Sequence, residues 1–300
     1  MQSALNLLDS IPNDERIEVI VVDDRSSENI TKLREKIGIT NRSIYNNDKL
    51  NKGAGTARNI GLSHAKGKWL LFADSDDWFV EGWFDIVCKY LDSDFDMIYF
   101  PPTSYNTRTG KIGARHRHYE ELIKQHHNKG TERTETELKY GFYTPWSKLI
   151  RRSVFEENGI WFDEQNVAND VMAMTKSALY SHKIFADSET IYCVTCGDNS
   201  LTTKKNEIKF DTIVDTKIRR YKFLKENLPE RLFHYTHIDY YMAGSLADAI
   251  LGKWGWKKVK EILNKYRKNQ IQFLTIYMFE PSFLLRYIFL DLRWRIEMNG

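Results

Sequence analysis

The chain has 300 residues, 42% of them hydrophobic and 13% aromatic, enough apolar material for one large folded domain or a domain with an appendage. Its 44 basic and 41 acidic residues leave a net charge of +3, too small to argue for a nucleic-acid partner. Three cysteines make no disulfide framework, no apolar run approaches the roughly 20 residues that span a bilayer, and no basic-then-apolar leader opens the sequence, so a reduced, cytoplasmic protein is expected.

In chain order, Glu18 to Asp23 is a short β-branched apolar run and predicts a buried parallel strand. A helix is expected over residues 28–36, capped by Ser26 or Ser27, and a short strand around Ile44. Gly53 to Ala65 reads as a glycine-rich turn and a helix of small residues. Trp69 to Ala73 predicts a second buried strand that runs straight into Asp74-Ser75-Asp76-Asp77. A helix over residues 81–91 and a strand over 97–100 follow, so alternating strands and helices predict a largely parallel sheet covered on both faces. Residues 105–130 are polar and histidine-rich and are expected as a solvated loop. Short helices are expected at 154–158 and 168–181, and helices throughout from residue 207. A division follows: residues 1–205 as an α/β domain and 206–300 as a helical region.

In α/β sheets ligands gather at the carboxyl ends of strands. Asp23, Asp24 and Asp74 to Asp77 fall at such ends, where packed carboxylates would repel one another without a cation. Two carboxylates one residue apart, as in Asp74-Ser75-Asp76, suit a hard divalent cation that also takes phosphate oxygens. A plain turn is the alternative, since Asp and Ser are turn residues.

Val21-Val22-Asp23-Asp24-Arg25-Ser26-Ser27, Asn51-Lys52-Gly53-Ala54-Gly55-Thr56-Ala57-Arg58-Asn59-Ile60-Gly61 and Leu71-Phe72-Ala73-Asp74-Ser75-Asp76-Asp77 occur in that order. Trp146 to Arg152 and Asn158 to Glu164 follow. Together these segments resemble the inverting family 2 glycosyltransferases of GT-A type, including those of bacterial polysaccharide synthesis, over about residues 3–202. The resemblance implies a Rossmann-like mixed sheet flanked by helices and a nucleotide-sugar donor. It implies that Asp24, beside Asp23, accepts a hydrogen bond from the base, typically uracil, and that Arg58 lies against the nucleotide. Lys52, Asp74 and Ser75 belong to the same nucleotide site, and Asp76, with Asp74 or Asp77, holds Mn or Mg. Asp170 matches the catalytic base, although Asn169 stands where a Glu usually precedes it. Trp146 is a candidate for stacking on an acceptor sugar or a core residue.

The family's opening apolar strand is absent, and Met1 to Leu8 already resembles the first helix. A misassigned start or a truncated gene, with weak activity, is the expectation from that departure. A sugar-nucleotidyltransferase is a rival, but the glycine-rich basic triphosphate loop it needs is not seen. A non-catalytic nucleotide-sugar-binding module is another. The basic stretch 254–267 and the amphipathic segment 281–300 suit either an anionic membrane surface, with a lipid-linked or saccharide acceptor, or packing on the domain.

Overall fold

Helix α1 (Gln2–Asp9) opens the chain and buries Leu5 and Leu8. The structure is a computed structural model and describes residues 2–27, 31–37, 41–49, 53–196, 206–251 and 254–273. Strand β1 (Val19–Asp23), helix α2 (Thr31–Ile37), strand β2 (Arg42–Asn46) and helix α3 (Ala54–His64) follow. β1 and β2 pair in parallel from Val19↔Arg42 to Asp23↔Asn46, with the crossover helix α2 between them that a parallel pair needs. Next come β3 (Trp69–Leu70), β4 (Trp78–Phe79), α4 (Trp83–Cys88), β5 (Met97–Tyr99), β6 (Thr103–Asn106), β7 (Lys111–Ile112), α5 (Arg117–Lys129) and α6 (Glu132–Gly141). Then β8 (Lys148–Arg151), α7 (Arg152–Glu157), α8 (Val171–Tyr180), β9 (Ile184–Ala186) and β10 (Tyr192–Cys196) complete the α/β part. The helical region holds α9 (Glu207–Asn227), α10 (Glu230–Tyr235), α11 (Ile238–Leu251) and α12 (Gly255–Lys268).

The strands form a β1-β2 pair and two four-stranded sheets, ordered β3-β8-β5-β9 and β4-β10-β6-β7. Among the described residues β1·β2, β10·β6 and β5·β9 are parallel, and the pairings of β8 with β3 and β5, of β4 with β10 and of β6 with β7 are antiparallel. The sheets are mixed, as the family resemblance implied, where strand–helix alternation alone predicted a largely parallel one. Among the described residues β1 pairs with β2 alone and β3 with β8 alone. Only Trp69 and Leu70 of the five-residue apolar run enter a ladder; Leu71, Phe72 and Ala73 leave it but stay packed on the main core.

Residues 105–130 are not a loop. β6 and β7 form a hairpin, and α5 runs 13 residues to a left-handed Gly130 at φ 57°. Tyr119, Leu122, Ile123 and His126 recur at helical spacing, and Leu122 and Ile123 are buried. The histidines have structural partners: His116 Nδ1 is 2.7 Å from Ser104 Oγ, and His127 Nδ1 is 2.8 Å from the Ala186 carbonyl. Burial pushes the His118 imidazole down to about 4.

One core cluster fills the space under the two larger sheets. A second fills the helical region and takes in Tyr140 of α6 and Ala178 of α8, so apolar packing runs across residue 205. Segment 281–300 lies outside the described residues. No helix among the described residues is long and apolar enough to cross a membrane.

Candidate functional site

The acidic run turns between β3 and β4, with the Asp77 N–H donating to the Asp74 carbonyl at 3.1 Å. Its shape is imposed by β10. Asp77 is 2% exposed; its Oδ1 accepts from the Thr195 N–H at 2.7 Å and its Oδ2 from the Tyr192 hydroxyl at 2.9 Å. The same hydroxyl accepts from the Asp74 N–H at 2.9 Å, so one phenol ties both ends of the turn. Burial, then the charges of Asp74 and Asp76, push the Asp77 carboxyl up to about 7. Asp74 stays partly exposed, and Ser75 and Asp76 are exposed at the tip. Carboxylate oxygens of Asp74, Asp76 and Asp77 lie within 4.8 Å of one another. Hard oxygen ligands at that spacing, with mutual repulsion left to neutralise, fit a divalent cation.

A second wall comes from the start of α3. Asp24, at the end of β1, accepts from Asn47 Nδ2 at 2.6 Å and from the Gly53 N–H at 2.8 Å. It thereby fixes Gly53, whose φ of 137° L side chains rarely adopt. Asp23 closes a turn by accepting from the Ser26 N–H at 3.0 Å. Further along, a Cβ on Gly55 would lie 2.1 Å from the Asp163 carbonyl oxygen, so only glycine lets α3 approach that backbone so closely. Asn59 completes the latch, donating to the Phe162 carbonyl at 2.9 Å and accepting from the Phe162 N–H at 2.8 Å.

Arg58 lies between the two walls. One guanidinium nitrogen is 2.5 Å from Asp74 Oδ1 and the other 2.8 Å from Asn169 Oδ1, with the Phe162 ring 5.5 Å from the guanidinium carbon. Asp170 follows at the head of α8, where its carbonyl accepts the Met174 N–H. Burial pushes the Asp170 carboxyl above its ordinary range, Arg58 and Lys148 pull it back, and Asp74 pushes it further up. Asp74, Asp76, Arg58 and Asp170 thus share one electrostatic environment, and Asp24 is joined to it through Gly53, which borders Gln165 and Asn166.

Trp146 does not join them. It is 1% exposed and packs against Tyr119, Phe142 and Tyr192, so it has no face to offer an acceptor ring; the core reading is the correct one. Lys52 lies outside the described residues. Sequence reasoning missed Tyr192 and Thr195, which carry no signal beyond an apolar strand, and Asn169, which it took only as a departure. It also missed Lys148, buried at 1% exposure, whose ammonium donates to the Phe142 and Thr144 carbonyls and lies 3.9 Å from the Phe142 ring centre. Burial pushes that amine well below its ordinary value.

The model of the family described as "Glycosyl transferase family 2" matches residues 2–159. The glycosyltransferase GlyA of Streptococcus pneumoniae is 24% identical over 218 residues, 69% of this chain and 30% of its own length. The putative glycosyltransferase EpsH of Bacillus subtilis is 27% identical over 159 residues, 52% of this chain and 45% of its own. The chain thus spans less than half the length of either relative. Among solved structures, S. aureus TarS 1-349 in complex with UDP-GlcNAc superposes with a TM-score of 0.70 at 17% identity, covering 100% of this chain and 86% of that one. That likeness is one of fold.

Proposed function

The chain belongs to glycosyl transferase family 2, and from that premise we propose that it moves a sugar, with inversion, from a nucleoside-diphosphate donor to a hydroxyl of a saccharide or lipid-linked acceptor. The observation that carries the reading is Arg58, bonded at once to Asp74 and to Asn169 beside Asp170. It brings the carboxylates suited to a diphosphate and the carboxylate suited to a hydroxyl within reach of one substrate.

Asp74 and Asp76 would hold a divalent cation, Mn or Mg, which when bound neutralises charge on the departing diphosphate. Asp77 has both oxygens engaged by β10, so its first task is to keep the turn in shape for its neighbours. Arg58 supplies a fixed cation beside the phosphates, and Asp24, with lone pairs to spare, accepts from the base. Asp170 takes the proton of the acceptor hydroxyl as that oxygen attacks the anomeric carbon from the face opposite the diphosphate. One C–O bond forms, the sugar–phosphate C–O bond breaks, and the nucleoside diphosphate leaves with the bonding pair. A carboxylate whose pKa is raised is a stronger base than an ordinary one, which favours this step. The UDP-GlcNAc held by the TarS neighbour makes a UDP-sugar the first donor to try.

The test is release of nucleoside diphosphate from a panel of UDP- and GDP-sugars with candidate acceptors. Asp170→Asn should lower turnover about 10²- to 10⁴-fold while donor binding persists. Release of pyrophosphate would point to a nucleotidyltransferase instead. Unchanged turnover in Asp170→Asn would remove that residue from the chemistry.

A further inference from the structure

Helix α12 packs on α9 and α11 through Val259, Ile262 and Tyr266, whose hydroxyl donates to the Met242 carbonyl at 2.8 Å. Two of its lysines are used in ion pairs. Lys258 is buried among Glu207, Asp211 and Glu261, and Lys265 reaches Asp215 at 2.6 Å. Apart from Gly255, which has no side chain, the exposed residues of the helix are the six Trp256, Lys257, Lys260, Asn264, Arg267 and Lys268. At about 100° per residue they fall in a single arc of about 120°. Four of the six are cations and none is acidic, and no ion pair engages those four among the described residues. Trp256, at the head of the arc, is 72% exposed, and Ile250 at the end of α11 is 52% exposed.

A basic face alone is a common solvated surface. The indole is what sets this one apart. A tryptophan held in water on a face whose charged residues are all cations matches the interfacial layer of a bilayer, where indole rings settle among headgroups and cations meet anionic lipid. Fourteen residues of helix are about 21 Å long, suited to lying on such a surface. We propose that the exposed arc of α12 seats the protein on an anionic lipid surface, Trp256 entering the headgroup layer and Lys257, Lys260, Arg267 and Lys268 meeting lipid anions. The proposal stands apart from the transferase reading, since vesicle binding is measured without turnover.

The experiment is flotation of the full chain with vesicles of phosphatidylcholine alone and of phosphatidylcholine mixed with phosphatidylglycerol. Binding is expected to the mixed vesicles only and to weaken with salt. Each of Lys257→Gln, Lys260→Gln and Arg267→Gln should weaken it about fivefold, and Trp256→Ser about tenfold. Lys257→Arg with Lys260→Arg should keep it. All these side chains are exposed, so melting temperature should not move. Absence of flotation with the anionic vesicles overturns the proposal, as does flotation that none of the substitutions changes. Tight binding to soluble polyphosphate that needs the cations but is indifferent to Trp256 also overturns it, in favour of a polyanionic partner.

Discussion

Arg58 serves two partners, and its removal should be felt by both. In Arg58→Met, Asp74 loses its cation and Asp170 loses the largest influence holding its pKa down. In the proposed role of base Asp170 acts ionised, so activity is lost as pH falls through its pKa. The acidic limb of kcat/KM should therefore lie above the ordinary carboxylate value of about 4 in the wild type and at higher pH still in Arg58→Met. A limb that does not move would break the link between Arg58 and the base. Asp77 makes a different prediction. Asp77→Ala strands the Thr195 N–H and the Tyr192 hydroxyl and should cost about 2–4 kcal/mol in urea denaturation. Asp77→Asn keeps an acceptor at the site and should cost less than half of that. In sequence Asp74, Asp76 and Asp77 are equivalent letters of one acidic run. Burial is what separates them, and burial depends on β10, more than a hundred residues away along the chain. Trp146 was ambiguous for the same reason, because a ring for stacking and a ring for packing are written alike.

The site's rigidity comes from one element pressed on another. α3 meets the backbone of residues 162–163 through Gly55 and Asn59, and that contact carries Arg58 to Asn169. Gly55→Ala puts a methyl 2.1 Å from a carbonyl oxygen, so the helix and that segment must part. A loss of about 1–3 kcal/mol in stability is expected, with a fall in kcat larger than the change in donor KM; an unchanged kcat would mean that the latch does not position Arg58. The helix itself was legible as a run of small residues after a glycine-rich turn, β1 as an apolar run and β2 as a short strand around Ile44. Strand direction was not. An apolar run carries no sign of its neighbour's direction, so the antiparallel β8 between β3 and β5 could not be read from the strand–helix alternation; only the family resemblance implied a mixed sheet. α5 is written in Tyr119, Leu122, Ile123 and His126 at helical spacing, but the polar and histidine-rich residues between them mask it.

Across the whole molecule, Arg220 of α9 is the most buried of several bonds between the helical region and the α/β part, with Arg219 to Asp163 and His237 to Glu137 among the others. Arg220 is 3% exposed, donates to Thr175 Oγ1 at 3.0 Å and to the Tyr140 carbonyl, and stacks on Tyr143. Arg220→Met should cost about 2–4 kcal/mol by leaving those acceptors unmet. It should lower the urea midpoint of a single cooperative transition, because Tyr140 and Ala178 share the apolar cluster of α9 to α12. Two separated transitions would mean that the regions fold independently. Helical patterning after residue 206 could be read from the sequence, and the described elements there, α9 to α12, are helices. Their packing back onto α6 and α8 could not, because Tyr140 and Arg220 lie 80 residues apart. The account as a whole rests on the exposed carboxylates of the acidic turn gripping a nucleoside diphosphate through a divalent ion. Calorimetric titration of UDP, with Mn2+ and with chelator, into the wild type and Asp76→Asn tests it most directly. Mn2+ should tighten UDP at least about tenfold in the wild type and have little effect in Asp76→Asn; equal affinity with chelator, or an undiminished Mn2+ effect in the variant, would contradict it.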